Sequence, residues 1–270
     1  MTEPLAVKAV IFDWAGTVVD YGSRAPMQAF LEVFKRFNLK ITIDEARIPM
    51  GLPKWDHIHA LCQLPRIAEA WRQLHGREFN NADVDAIYEV FVPMNTQVIG
   101  DYAELIPGVV STVRELRNRG LKIGSTTGYV HDIMDVLMPL AAKQGFTPDC
   151  MVCAGDLAAG RPTPLMMYQC FIELNVWPAA ACVKVDDTVP GIAEGLAAGT
   201  WTVGVAVTGN GFGLSPQETA KLSPEEFAER RAQSVRELET AGAHYVIDGV
   251  ADLLPVIEQI NIRLSRGEHP

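Results

Sequence analysis

Four short, almost uninterrupted apolar runs limit what this chain can fold into more than any other feature. They are "VKAVIF" (7–12), "LKIGST" (121–126), "ACVKV" (181–185) and "WTVGV" (201–205). A strand with one wet face alternates apolar and polar residues, whereas a run that stays apolar is buried on both faces, as in a parallel sheet covered by helices. A fifth, weaker run is "CMVC" (150–153). Helix-length amphipathic segments fall between these runs, near 108–119, 131–144, 164–175 and 189–198. Strand and helix therefore alternate, which predicts an α/β protein with a doubly wound parallel sheet. The charged segment "SPEEFAERRAQSVRELETAG" reads as a helix ending at Gly242, followed by "HYVID" (244–248) and a last helix from about 250.

One connection breaks the rhythm. Between Phe12 and Leu121 lie 108 residues, where a strand–helix–strand unit needs about 30. The excess, 22–100, reads as helices: "APMQAFLEVFKRF", "PKWDHIHALCQL", "PRIAEAWRQLHG" and "NADVDAIYEVFVPMNTQVI". Its flanks, "DYGSRAP" (20–26) and "GDYAELIPG" (100–108), carry the Gly, Pro and Asp of a hinge. The expected organisation is a Rossmann-like core from 1–21 and 101–270, with 22–100 a helical cap inserted after the first strand. Ligands of such sheets bind beyond the carboxyl ends of the strands, so the insert is placed to cover that site.

The formal net charge of −10 argues against a nucleic-acid surface, which needs a basic stripe, and no Lys/Arg cluster suits an anionic membrane. The opening "MTEPLAVK" lacks the basic and apolar regions of a secretory signal. Five scattered cysteines do not form a disulfide framework, and the pair in "CMVC" reads as two buried thiols. The expected setting is the reducing cytoplasm, with a small molecule as the partner.

The strand ends carry the chemistry. The first run ends at Asp13, the second at Ser125-Thr126-Thr127-Gly128, and "ACVKV" at Asp186-Asp187-Thr188, while Arg161 follows the "CMVC" run. Singly these are weak signals, since a strand-end Asp is usually a turn residue and a Thr usually caps a helix. Together, in order and each at a carboxyl end, they describe a site.

In these residues the chain resembles the haloacid dehalogenase-like phosphohydrolases, whose motifs are a strand-end D-x-D-G-T, a strand-end Ser/Thr, a Lys/Arg and a strand-end acidic pair or GD. The resemblance implies Mg²⁺-dependent phosphoryl transfer to an aspartate, with Asp13 as nucleophile. It also implies that the hydroxyl of Thr126 or Thr127 and the backbone N–H groups of Gly16 and Gly128 hold phosphoryl oxygens. Arg161 would balance their charge, and Asp13, the Ala15 carbonyl and Asp187 would bind the metal.

Phosphatases of this family have an acid two residues after the nucleophile to protonate an oxygen leaving group, and here that position is Ala15. Either the site is silent or the leaving group needs no acid. A carbon leaving group fits the second case if an amine first converts a neighbouring carbonyl to an iminium. "PMGLPK" supplies that amine, placing Lys54 in the first turn of a cap helix, with His57 at i+3 on the same face. The helix N-terminus and an apolar cover both disfavour an ammonium there. Lys and His are more often surface or packing residues, but the missing acid at 15 favours the functional reading.

The closer resemblance, in "FDWAGT", "DYG", "PMGLPK" with "DH" following, "GSTTGY" and "AGRP", is to the branch of the family that cleaves a phosphorus–carbon bond in an aldehyde phosphonate. It implies Lys54 as Schiff-base lysine, His57, Met50 and Tyr129 as contacts near the imine, and a homodimer. The alternatives are a sugar-phosphate phosphatase or mutase of the same family, and a silent phosphoryl-binding protein. In one respect the chain departs from the family, which has Gly-Asp-Thr and a further Asp four residues past the first. Here those positions are Asp186-Asp187-Thr188 and Gly191. Asp186 is expected either to supply the lost carboxylate to the metal's water shell or to cap the following helix.

Overall fold

The computed structural model describes residues 5–270. Met1–Pro4, the start of the segment read as lacking a secretory signal, lie outside the described residues. Six strands, β1 (Ala9–Phe12), β2 (Lys122–Thr127), β3 (Cys150–Cys153), β4 (Cys182–Asp186), β5 (Trp201–Val205) and β6 (Tyr245–Ile247), form one sheet in the order β3-β2-β1-β4-β5-β6, with every pair parallel. The chain builds outward from β1 in one direction, then crosses to β4 and builds in the other. The crevice of such a sheet opens at this reversal, between the ends of β1 and β4.

The helices are α1 (Ala25–Arg36), α2 (Ile43–Arg47), α3 (Lys54–Gln63), α4 (Pro65–His75), α5 (Asn81–Val98), α6 (Val109–Asn118), α7 (His131–Gln144), α8 (Leu165–Leu174), α9 (Val189–Ala197), α10 (Pro216–Thr219), α11 (Pro224–Thr240) and α12 (Leu253–Ser265). The unbroken apolar runs have the expected cause. Val10 and Phe12 of β1 face a core shared with α6, α7 and α12, while Ala9 and Ile11 face a second core under α8. Both faces are dry.

The segment from α1 to α5 has its own core of Phe30, Phe34, Ile58, Leu61, Trp71, Ile87 and Phe91, with Phe30 stacked on Phe91 at 4.4 Å. Burial of each such side chain contributes about 1.5–3 kcal/mol relative to exposure. Thr42 and Asn80 start α2 and α5 with reciprocal capping boxes to Glu45 and Asp83. At the entry to the insert, Asp20 turns the chain with φ 55°. Its two carboxylate oxygens accept from the N–H groups of Arg24 and Ala25 at 2.9 and 2.8 Å.

The expected elements are all present; the helix 131–144 and the strands 150–153 and 201–205 coincide with those expected, and the ends of the others shift by at most three residues. Two short helices, α2 and α10, were not foreseen, and Pro53 sits at the N-cap of α3 rather than inside its first turn. All five cysteines are free and buried, with Cys150 and Cys153 in β3 as expected. Among the described residues no helix is long and apolar enough to cross a membrane.

Candidate active site

Asp13 follows β1 directly and donates its N–H to the Val185 carbonyl at 3.0 Å, which fixes it beside the end of β4. The doublet Asp186-Asp187 is there. Carboxylate oxygens of Asp13, Asp186 and Asp187 lie within 4.8 Å of one another, and all three residues are buried. Burial and the Asp186 charge push Asp13 up to about 6, against the pull of Arg161 and Lys184. Asp187 is raised well above the carboxylate range by burial and by Asp13 and Asp186. Burial also opposes ionisation of Asp186, but Arg161 and Lys184 outweigh it and hold this carboxyl below its usual value.

Beneath these acids runs a buried polar network. Arg161 Nη2 is 2.8 Å from Asp13 Oδ1 and 3.3 Å from Asp186 Oδ2, and Nε is 3.1 Å from Glu194 Oε2. Lys184, on the fully buried β4, reaches Asp186 at 3.1 Å and Glu194 at 3.0 Å, and donates to the Thr126 hydroxyl at 2.6 Å. Thr126 in turn donates to Glu194 at 2.8 Å. Two cations thus hold several acids in a site that water cannot screen.

The insert lays its 50–54 loop across these strand ends. A Cβ on Gly51 would lie 2.2 Å from Thr188 Oγ1, one on Gly128 2.9 Å from the Leu52 carbonyl, and one on Gly160 2.7 Å from Pro53 Cγ. This close approach seats Lys54, 4% exposed, with Nζ 4.9 Å from the Tyr129 ring centroid and 4.0 Å from Met50 Sδ. Among the described residues it has no ion-pair partner. Burial lowers its pKa to about 8, although Asp13 pulls the other way. His57 is fully buried, stacked on Phe30 at 4.1 Å, with Nε2 2.8 Å from the Ala46 carbonyl and Nδ1 without a partner among the described residues. Burial and the Lys54 charge hold it well below the usual histidine value, as a neutral imidazole.

A small cavity opens where these parts meet. Asp13, Ala15, Met50, Lys54, Thr127, Gly128, Tyr129 and Arg161 line it, so residues distant in sequence converge on one space. Ser23, Gly51 and Thr188 complete the wall. Four expected residues stand back from it. Thr126 is drawn into the network with Lys184 and Glu194, so Thr127 is the threonine that faces the cavity. The Gly16 N–H, expected to hold a phosphoryl oxygen, is taken by the carbonyls of Val19 and Asp20 at 2.8 and 3.2 Å. What position 16 needs is space: with φ 81°, a Cβ there would lie 2.2 Å from Asp187 Oδ2. His57 lies behind Lys54. Asp187 lies below the wall, where its oxygens accept from the Thr17 hydroxyl at 3.4 Å and the Asn210 N–H at 2.7 Å.

Sequence reading missed Lys184 and Glu194. Both carried a signal, being single charges inside an otherwise apolar strand and an otherwise apolar helix. Asp186 does not itself cap α9: Thr188 is the N-cap, its hydroxyl accepting from the Gly191 N–H at 3.3 Å, and Asp186 braces that cap. Asp186 Oδ1 accepts from the Thr188 N–H and hydroxyl at 3.0 and 2.7 Å, at the start of α9. The same carboxylate fills the space at Gly191, where a Cβ would lie 2.0 Å from it.

The donor set fits a hard divalent cation. Clustered buried carboxylates, two of them with raised pKa values, present only oxygen, the ligand that Mg²⁺ and Ca²⁺ prefer. A cation there would relieve their mutual repulsion.

A family model described as haloacid dehalogenase-like hydrolase matches residues 7–199. The phosphonoacetaldehyde hydrolase of Paraburkholderia xenovorans is 56% identical over 264 residues, covering 98% of this chain and 99% of the relative. The phosphonoacetaldehyde hydrolase of Klebsiella pneumoniae is 50% identical over 266 residues, covering 98% and 99%. The crystal structure of a phosphonoacetaldehyde hydrolase-like protein from Oleispira antarctica superposes with a TM-score of 0.96 at 44% identity, covering 98% and 96%. A β-phosphoglucomutase from Clostridium difficile, 18% identical with a TM-score of 0.66, shares the fold over 95% of this chain and 98% of its own.

Proposed function

The chain belongs to the haloacid dehalogenase-like hydrolases and, within them, to the phosphonoacetaldehyde hydrolases, and from that premise we propose how its own residues break the phosphorus–carbon bond of phosphonoacetaldehyde to give acetaldehyde and phosphate. The observation that carries the mechanism is the enclosure of Lys54, without an ion-pair partner among the described residues, in the same cavity wall as Asp13.

The Lys54 amine adds to the aldehyde and water leaves, giving an iminium. Asp13 attacks phosphorus, the P–C bond breaks, and its electron pair moves into the iminium to form an enamine. The enamine carbon takes a proton. Water then releases acetaldehyde from Lys54 and phosphate from Asp13. One water is lost and two are consumed, so the balance is hydrolysis.

Other residues set up these steps. Arg161 stands against Asp13 and the phosphoryl charge, and Thr127 and Gly128 face the phosphoryl oxygens. Met50 and Tyr129 wall the imine. Tyr129 is 2% exposed and its hydroxyl has no partner among the described residues, so it is a polar group available to substrate. His57, neutral and with Nδ1 without a partner among the described residues, accepts the proton that Lys54 loses, through an intervening water. A carbanion leaving through an enamine needs no acid at 15, which accounts for Ala15. Asp13, Asp187 and the Ala15 carbonyl would hold Mg²⁺, with Asp186 next to them. The ion would supply charge neutralisation between nucleophile and phosphoryl oxygens. In this reading 22–100 is a cap that closes over a core of 1–21 and 101–270, and the enzyme works as a cytoplasmic homodimer. The test is release of phosphate and acetaldehyde from phosphonoacetaldehyde, compared with phosphate esters. Comparable or faster ester hydrolysis contradicts the proposal.

A further inference from the structure

The seam between the helical insert and the sheet is crossed by the guanidinium of Arg47, the last residue of α2. Nη1 donates to the Gly22 carbonyl at 2.9 Å and to Asn210 Oδ1 at 2.9 Å, with the Ser23 and Asn210 carbonyls at 3.4 and 3.3 Å. Nη2 donates to the Gly213 carbonyl at 2.9 Å. The Asn210 side-chain amide returns a bond to the Arg47 carbonyl at 3.4 Å. Arg47 has no carboxylate within ion-pair distance among the described residues. A rigid fork of five donors is met by neutral oxygens from two segments, which is an arrangement for fixing backbone rather than for pairing charge.

The backbone it fixes leads to the site. The Asn210 N–H donates to Asp187 Oδ2 at 2.7 Å. The preceding residue is pressed on the same side chain, since a Cβ on Gly209 would lie 2.5 Å from Asp187 Cβ. On the insert side, Arg47 is three residues from Met50 and seven from Lys54.

We propose that Arg47 is a positioning residue that ties seating of the cap to presentation of the Asp187 carboxylate, so that the 209–213 loop holds Asp187 for a divalent cation only when the cap, and with it Lys54, is in place. The inference rests on the reading of Asp187 as a metal-side carboxylate, but not on the identity of the substrate. A lysine cannot replace the fork, because a single ammonium does not span the Gly22, Asn210 and Gly213 oxygens.

The test uses the full chain without substrate. Mg²⁺ binding is measured by calorimetry, and hydrogen exchange of 206–214 is compared with exchange of α1 and α5, for the parent, Arg47→Lys and Arg47→Ala. Both variants are expected to bind Mg²⁺ about tenfold more weakly, the scale of one hydrogen bond to a charged group, and to exchange 206–214 faster while α1 and α5 keep their protection. Added guanidinium is expected to recover part of the Mg²⁺ affinity of Arg47→Ala but none in the parent. Parent-like Mg²⁺ affinity and loop exchange in Arg47→Ala overturn the proposal. So does loss of protection in α1 and α5 as large as that in the loop for Arg47→Lys, because Arg47 would then be a packing residue. Normal Mg²⁺ linkage in a chain that fails to cleave phosphonoacetaldehyde would instead count against the functional reading alone.

Discussion

Lys54 Nζ stands 4.9 Å from the centroid of the Tyr129 ring, across the seam between α3 and the loop after β2. The contact brings an amine from the insert to the carboxyl ends of the strands, beside Asp13 in the cavity wall. A ring face attracts a cation, but the surroundings are dry enough to lower the Lys54 pKa to about 8. Tyr129 therefore steadies the side chain without locking it as an ammonium.

The first prediction is a pH dependence. Imine formation needs the free amine, whose share falls tenfold per pH unit below the Lys54 value of about 8. Nucleophilic attack needs ionised Asp13, which is lost below about 6. Both effects act in the same direction, so kcat/KM should rise with pH through 6 and continue to rise toward 8. Saturating Mg²⁺ should move the Asp13 limb to lower pH, because a bound cation favours the carboxylate. A rate that stays flat between pH 6 and 8 would contradict the assignment of Lys54.

Position 191 provides a second test. Its missing Cβ is the space that Asp186 occupies. Gly191→Asp alone should be severely destabilised and inactive, because the new side chain collides with the Asp186 carboxylate. Adding Asp186→Gly should recover folding, and much of the activity, in Asp186→Gly/Gly191→Asp. Unfolding midpoints and turnover of the two singles and the double measure the coupling. Additive losses would mean that the two positions do not share one carboxylate site.

The buried network predicts a stability effect. Lys184→Met leaves Glu194 and Asp186 with Arg161 as their remaining close cation. Removing one partner of a buried ion pair costs about 3–5 kcal/mol, readable as a shift in denaturant midpoint. Lys184→Met combined with Glu194→Gln should lose less than the sum of the two single changes. A loss below about 1 kcal/mol for Lys184→Met would show that the network is not what holds the strand ends.

Much of this was legible in the sequence because it follows from periodicity. Runs such as "VKAVIF" and "WTVGV" are apolar on both faces only in a covered parallel sheet, and the 108 residues after Phe12, far more than one crossover needs, hold the expected run of helices. Asp13, Lys54 and Arg161 were readable from strand ends and motif chemistry. What could not be read is direction in space. Neighbouring Thr126 and Thr127 point to opposite sides of β2, so one enters the network and the other the cavity. The Gly16 N–H was assigned outward, whereas a tight turn uses it internally. Asn210 and Arg47 carry no motif, because their bonds run between segments far apart in the chain.

Ala15 gives the fourth prediction. Ala15 lines the cavity with Asp13, so Ala15→Asp adds another carboxylate where Asp186 already raises the proton affinity of Asp13 and both raise that of Asp187. Cleavage of phosphonoacetaldehyde should fall at least tenfold, and a trace of phosphate-ester hydrolysis should appear as the new acid protonates an ester oxygen. Parallel assays of both substrates on both proteins read this out. Unchanged P–C cleavage would make Ala15 incidental.

The central claim is that Lys54 forms the imine, and borohydride trapping tests it most directly. Reduction in the presence of phosphonoacetaldehyde, followed by peptide mass spectrometry, should inactivate the enzyme and place a single two-carbon adduct on the peptide containing Lys54. Lys54→Arg keeps a cation but cannot form the imine, and should show no adduct and no turnover. An adduct on a different lysine, or turnover in Lys54→Arg close to that of the parent, would contradict the account.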